Sequence, residues 1–526
     1  MELRAPAPQV FTRRMPRRRC IIKLADRPKS QPAPITSSAR SHAFCGRIRV
    51  SRNAASRCLN LTRAAAATNA RVFREGVAAG YGIMDEHFSQ IGTREIWGGE
   101  QTVGLSLSDR RQHLYLIGKT GSGKTTLLRN LIVQHLAAGH GVGLIDPHGD
   151  LAEELLDCIP PHRADDLVYF NPGDLDFPIG LNLIANVAPD DRHLVASGIV
   201  GAFKSIWRDS WGPRLEYILY NAVAALLDCP NTSLLGVNRM LTDSDYRRRV
   251  VAKVRDPFVR AFWTDEFENY DPRFQREAIA PIQNKLGQFL LNPVVRNILG
   301  QVSTKVSIPF MMNTGRIFIA NLAKGKLGAD KAGLLGSLLT TQFQLAAMAR
   351  VNQPENERRD FFLFIDEFHN FTTDAFAAIL SEARKYRLCL ALSHQYIEQV
   401  SPLVRGAVFG NVGSLVSFRV GFADAEVLRR EFGNTFPLET FVGLDRFQVI
   451  ARLAENGKTR EPFCAQTLAP IEHRVGRRGK LITRSREKYA SPRAHVEAKM
   501  ERWIRTRGDD RARISKGRIP FFPVRM

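Results

Sequence analysis

The chain has 526 residues, 44% of them hydrophobic and 24% charged, which excludes a disulfide-stapled mini-protein, a collagen-like rod or a wholly unstructured polymer. Its formal net charge of +23 belongs to the ends: residues 1–74 carry 17 Lys/Arg against 2 Asp/Glu, residues 471–526 carry 17 against 6, and the middle carries 41 against 44. Such ends suit phosphate backbones or anionic headgroups through a salt-sensitive attraction that needs no particular sequence.

In chain order, residues 1–90 are rich in Arg, Ala and Ser, lack apolar periodicity and are expected to form a basic, disordered extension, the functional chain starting near Met84. From Ile96 the pattern changes. His113–Ile117 reads as a buried strand, Thr125–Ala138 as a helix, and Val142–Ile145 and Leu167–Phe170 as further strands. Between about 185 and 305 strand signals stop, and helical periods at Leu194–Trp207, Leu215–Leu227, Asp245–Val254 and Phe274–Leu291 are broken at Pro189, Pro230, Pro257 and Pro293. Strands return at Arg316–Leu322, Phe361–Ile365, Leu388–Leu392, Ser414–Arg419 and Phe447–Arg452, with a helix at Asp374–Tyr386. Strands alternating with helices predict an α/β fold with a mainly parallel central sheet. The expected division is an extension (1–90), a first nucleotide-binding part (91–184), an inserted all-α domain (185–305), a second nucleotide-binding part (306–470) and a basic, partly disordered C-terminal tail with a helix (471–526).

Seven cysteines, at 20, 45, 58, 158, 229, 389 and 464, form no C-x-x-C pair and have no histidine at zinc spacing, so a reduced cytoplasmic chain without a structural metal is expected. No uncharged apolar run reaches the ~18 residues a membrane-spanning helix needs, so association with the inner face of the cell membrane would come through a partner protein.

The strongest motif is Gly118-Lys119-Thr120-Gly121-Ser122-Gly123-Lys124-Thr125, a complete G-x-x-x-x-G-K-[ST] between a predicted strand and a predicted helix. Its backbone N–H groups and the helix N-terminus form an anion cradle. Lys124 would span the β- and γ-phosphates of ATP, Thr125 would offer its hydroxyl to Mg²⁺, and Thr126 completes the first turn. The partner motif is Phe361–Ile365 followed by Asp366 and Glu367: Asp366 to hold the metal, Glu367 to orient the attacking water. The 242 positions from Lys124 to Asp366 require an insertion between the two halves of the site.

Weaker candidates surround these. Asp146 and His148 follow the second strand, where ligands bind in open α/β sheets, although a turn capped at Asp150 explains the same residues. Gln395, in Ser393-His394-Gln395, closes the strand beside the presumed γ-phosphate and can sense it. Arg384 and Arg387 precede that strand; either could serve a neighbouring subunit's phosphate or simply complement a helix dipole, and Arg419 is a weaker alternative. Lys324-Gly-Lys326 is a candidate DNA-channel loop, and the basic segment 474–518 with Trp503 a candidate contact for DNA or an acidic partner.

The blocks HLYLIGKTGSGKTTLLRNLI (113–132), GLIDPHGDLAEELL (143–156), WGPRLEYIL (211–219), FIDEFHNF (364–371) and LSEARKYRL…SHQY (380–396) together resemble the conjugative DNA-transfer ATPases, the TraG/TraD-like coupling proteins of type IV secretion in the HerA/FtsK superfamily. The resemblance covers roughly 96–470. It implies a RecA-like P-loop NTPase domain with an all-α insertion, a hexameric ring, and ATP hydrolysis that moves DNA. It implies Lys124 and Thr125 as the Walker A pair, Asp366 and Glu367 as the Walker B pair, Gln395 as the glutamine of the third motif, and Arg384, eleven positions earlier, as the arginine offered to a neighbour. A relaxase or other substrate protein would dock on the helical insertion. The membrane-spanning N-terminal helices of anchored coupling proteins are not matched in this sequence. Two other readings compete: a HerA-like DNA-processing motor working with a nuclease, and an ATP-dependent adaptor that docks substrate without moving it.

Overall fold

In the computed structural model, the described residues are 87–373, 375–472 and 474–514. Of the extension expected over 1–90, residues 1–86 lie outside them. Residues 88–90, assigned to that extension from sequence, are already strand.

The frame is one eleven-stranded sheet. In chain order the strands are β1 (Phe88–Ile96), β2 (Gly99–Ser106), β3 (Leu114–Ile117), β4 (Gly141–Asp146), β5 (Leu167–Phe170), β6 (Ile317–Asn321), β7 (Phe361–Ile365), β8 (Leu388–His394), β9 (Ser414–Ser417) and β10 (Gln448–Arg452), a separate hairpin of β11 (Ala454–Glu455) and β12 (Lys458–Thr459), and β13 (Phe463–Thr467). Across the sheet the order is β2-β1-β13-β10-β9-β3-β8-β7-β4-β6-β5. From β9 to β5 all seven strands are parallel, whereas β10, β13, β1 and β2 continue the sheet antiparallel.

The parallel strands are short apolar runs because both their faces are covered. On β3, Leu114 and Leu116 enter one core with Leu127, Leu131 and Leu155, while Tyr115 and Ile117 enter the other with Phe318, Leu338 and Leu363. The first core is roofed by α1 (Lys124–Ala137) and α2 (Asp150–Leu156). The second is shared with the helices that follow β5.

Between β5 and β6, after an isolated antiparallel bridge of Ile179 with Ala490, the described secondary structure is helical, beginning at Pro189 and including α3 (Arg192–Ile206), α4 (Pro213–Leu227) and α5 (Pro272–Leu290). Of the prolines read as breaks from sequence, Pro230 lies in the turn that follows α4, whereas Pro189, Pro257 and Pro293 open helical segments. Asp256, Asp271 and Asn292 accept hydrogen bonds from the N–H groups of the next turn, and Pro257, Pro272 and Pro293 occupy the first helical position, where the absent N–H costs nothing. Helices continue to Thr314, past the 305 expected, before β6 begins. After β6 comes α6 (Ala329–Met348), a 20-residue helix packed on α3 and not anticipated from the sequence.

The C-terminal segment, expected as a tail, folds back onto the body as α7 (Arg478–Tyr489) and α8 (Arg493–Ile514). Arg478 pairs with Glu153, Arg484 with Asp165 and Arg486 with Asp174, and the Ser485 hydroxyl accepts from the backbone N–H of Tyr169 on β5. Trp503 is half-buried, lying against Tyr246 and under the Arg239 guanidinium. Among the described residues no helix is long and apolar enough to cross a membrane.

Candidate functional site: a phosphate loop facing two carboxylates

Parallel strands point all their C-terminal ends to one edge, and β3, β8, β7 and β4 are consecutive neighbours. Register then sets the levels. Ile117 of β3 lies beside His394 of β8, and Ile365 of β7 beside Leu392, so the residues following β3 and β7 emerge at the same edge on either side of Ser393–Gln395.

The loop after β3 has the shape its glycines permit. Gly121 and Gly123 take φ of 77° and 121°, in the region that favours glycine. A Cβ on Gly118 would stand 2.5 Å from Phe418 Cβ, and one on Gly123 would stand 2.7 Å from the Phe447 ring. The loop is fastened from behind: Lys119 N–H donates to Arg419 O (2.8 Å), Phe447 N–H donates to Ser122 O (2.9 Å), and Ser122 Oγ donates to Lys119 O (2.7 Å). Lys124 opens α1 and turns its ammonium back into the loop, donating to Gly118 O (2.5 Å) and Lys119 O (3.2 Å). Burial lowers its pKa, and the nearby charges of Glu367 and Asp366 act against that fall. Lys119, Thr120, Gly121 and Thr125 are exposed on the open side of the loop, while Ser122 is buried and Gly123 and Thr126 are half-buried.

Asp366 directly follows β7 and is buried. Its Oδ1 accepts from Ser393 Oγ and from the N–H of Glu367 (3.1 Å). Desolvation raises its pKa, with the Glu367 charge adding to the rise, while the Ser393 bond and the Lys124 charge oppose it. The Asp366 carboxylate and the exposed Thr125 hydroxyl, on the residue after Lys124, are hard oxygen donors of the kind magnesium takes. Glu367 adopts φ 45°, ψ 50°, a left-handed conformation rare outside glycine. Asn370 holds it there, its backbone N–H and its side-chain Nδ2 both donating to Glu367 O, at 3.0 and 2.7 Å. Gln395 Nε2 donates to Glu367 Oε1 (3.0 Å), which joins the end of β8 to the second carboxylate.

Lys124, Asp366, Glu367 and Gln395 are therefore brought together, with Thr125 at the edge of the group. Arg384 is not. It lies exposed in the turn before β8, at the opposite edge of the sheet, so within one chain it faces away from the phosphate loop. Arg387 is occupied locally by Glu355 (3.6 Å) and Asp360 (3.7 Å). The Arg419 side chain is exposed beside the loop that its carbonyl supports. Gly149, not Asp150, is the N-cap of α2, and the Asp146 carboxylate accepts from His148 N–H (2.8 Å) and from Ala152 N–H in the first turn (2.9 Å). Lys324, read as part of a channel loop, bonds Asn370 Oδ1 (2.5 Å) and lies in the field of Glu367. The sequence reading missed Asn370, His369 and Gln399. His369 and Asn370 fall within one turn of Glu367, and Gln399 is four positions after Gln395, a spacing that could have drawn attention to them.

Residues 91–324 match the family described as the central domain of the helicase HerA. Among solved structures, the bacterial conjugative coupling protein TrwBΔN70 in its unbound monoclinic form aligns with TM-score 0.53 at 16% identity, covering 76% of this chain and 94% of that one. TrwB bound to the GTP analogue GDPNP aligns at 0.54 and 17% identity (75% and 92% covered), and TrwB with ADP and Mg²⁺ at 0.53 and 16% (74% and 97% covered). No curated protein matches the chain. At these identities the structural likeness establishes the fold, a P-loop NTPase built on a mainly parallel sheet. The family model over 91–324 agrees with the HerA part of the resemblance carried by the motifs, and the likeness to the solved structures, over three-quarters of the chain, is one of fold.

Proposed function

We propose that this chain is an ATP-hydrolysing DNA translocase of the conjugative coupling type, acting as a homo-hexameric ring that receives a relaxase or other substrate protein on its helical region and is brought to the cell membrane by a partner protein. The observation that carries the reading is the meeting of Lys124, Asp366, Glu367 and Gln395 at one sheet edge, from three places separated in sequence by up to 271 positions.

In this reading the loop 118–126 holds the triphosphate, its N–H groups on the phosphate oxygens and Lys124 exchanging the Gly118 and Lys119 carbonyls for the β- and γ-phosphates. Thr125 and Asp366 would hold Mg²⁺, which supplies charge neutralisation to the phosphates when bound. Glu367 accepts a proton from the attacking water, and Gln395, bonded to that carboxylate, links its position to the presence of the γ-phosphate. Arg384 reaches a neighbour's site, since it faces away from its own. A HerA-like processing motor with a nuclease partner is the second reading, favoured by the family match over 91–324.

The test is ATP turnover with and without single- and double-stranded DNA across a salt series. DNA should stimulate hydrolysis. Lys124→Ala and Glu367→Gln should each lose turnover by roughly 100-fold or more, and Glu367→Gln should still bind nucleotide. Hydrolysis indifferent to DNA would leave the adaptor reading in its place.

A further inference from the structure

The Glu367 carboxylate is approached from a second side. His369 Nδ1 lies 3.5 Å from Glu367 Oε2, and both atoms are buried and make no hydrogen bond among the described residues, so each faces the other as its nearest available partner. On its far side His369 Nε2 meets Gln399 Nε2 at 3.4 Å.

Gln399 determines what His369 can offer. Its Oε1 already accepts two backbone N–H groups, from Gln395 (3.0 Å) and Tyr396 (3.1 Å), so the atom facing His369 is the amide nitrogen, a donor. A donor on Nε2 requires a bare Nε2, and a neutral imidazole then carries its proton on Nδ1, aimed at Glu367 Oε2. Burial keeps the ring neutral, lowering its pKa to about 4, with the charges of Lys324 and His148 adding to the fall. The contacts close a ring: Glu367 Oε1 to the Gln395 side chain, the Gln395 backbone to Gln399, Gln399 to His369, and His369 back to Glu367 Oε2.

The geometry points to His369 and Gln399 as positioning residues that fix the tilt of the Glu367 carboxylate, each oxygen taking one protein donor and keeping one lone pair for the attacking water. This rests on the proposed hydrolytic role of Glu367. Because Gln399 also ties down the backbone of Gln395 and Tyr396, movement of the segment after β8 turns the Glu367 carboxylate from both sides at once.

Two measurements test it. In turnover, His369→Leu should lower kcat about 10-fold with KM for ATP unchanged, as loss of an orienting partner does. His369→Asn, whose amide N–H falls near the Nδ1 position, should restore most of the rate. Gln399→Met should act in the same direction and add little when combined with His369→Leu. An unchanged kcat in His369→Leu, or additive losses in the double variant, overturns the proposal even where Glu367→Gln abolishes turnover. The second measurement needs no catalysis: ¹⁵N-histidine spectra of the full chain should contain a neutral Nδ1–H signal that disappears in His369→Asn. An Nε2–H tautomer for His369 overturns the proposal whatever the protein hydrolyses.

Discussion

The two parts of the sheet are built on different terms. The parallel part, β9 to β5, is buried on both faces, and its strand ends deliver Lys124, Asp366, Glu367 and Gln395 to one edge. The antiparallel part alternates instead: on β13, Phe463, Ala465 and Thr467 are buried while Cys464 and Gln466 are exposed. It places no side chain on the two carboxylates, yet Phe447, which enters β10, holds the Ser122 carbonyl and fills the space beside Gly123. One part therefore supplies reactive groups, and the other shapes the loop from behind.

This contrast can be broken in order of expected effect. Arg384 lies on the parallel part but at its remote edge. If it serves a neighbour, Arg384→Ala should lower DNA-stimulated turnover by about 1,000-fold, and mixing it with Lys124→Ala subunits should recover activity that neither variant has alone. Absence of recovery on mixing rejects the arrangement in trans.

Next come the strands. Because β7 is covered on both faces, neighbouring residues should matter equally: Leu363→Ala and Phe364→Ala should each cost about 2–5 kcal/mol in denaturant unfolding. A cost confined to one of the pair would contradict the two-sided burial.

A smaller effect concerns acid. His113 at the entry of β3 and His394 at the end of β8 are buried as neutral rings, their pKa values lowered by desolvation to about 4 and about 3. Their unfolded value is near 6.5. Folding thus favours the unprotonated form, so their contribution is fully present above about pH 6.5 and is lost as pH falls below it. At pH 5.5 the two together should remove about 2–3 kcal/mol, close to 1.4 per ring per pH unit. His369 and His135, also lowered by burial, titrate in the same window, so His113→Gln should reduce the loss measured in unfolding curves between pH 7.5 and 5.5 by about 1.4 kcal/mol, the share of one ring. The smallest expectation is on β13: Cys464→Ala should change stability by no more than about 0.5 kcal/mol, and a larger loss would mean its outward face is covered.

What could be read from sequence follows the same divide. Strands such as Leu167–Phe170 and Phe361–Ile365 stood out because two covered faces demand continuous apolar runs bounded by turns. β1 (FSQIGTREI) and β13 (FCAQT) did not, because polar residues alternate through them and their partners are remote: Gly92 pairs with Thr467. Helix α6 was missed for the opposite reason, being apolar on most sides, without the stripe that marks an amphipathic helix. In the site, the phosphate loop and the Asp-Glu pair were legible as local strings. The bonds from Ser393 to Asp366 and from Gln399 to His369 were not, because they depend on strand order and register.

The docking of α7 bears on how any DNA titration is interpreted. The pairs Arg478–Glu153, Arg484–Asp165 and Arg486–Asp174 are partly open to solvent, each is worth about 1 kcal/mol or less, and all are screened by the same ions that strip a polyanion from a basic surface. Raising ionic strength should loosen the C-terminal helices while it weakens DNA binding, so the apparent number of phosphate contacts would include some that are intramolecular. Limited proteolysis within 474–514 at each salt concentration separates the two: early cleavage there marks helix release, and loss of DNA before cleavage marks the true phosphate interface.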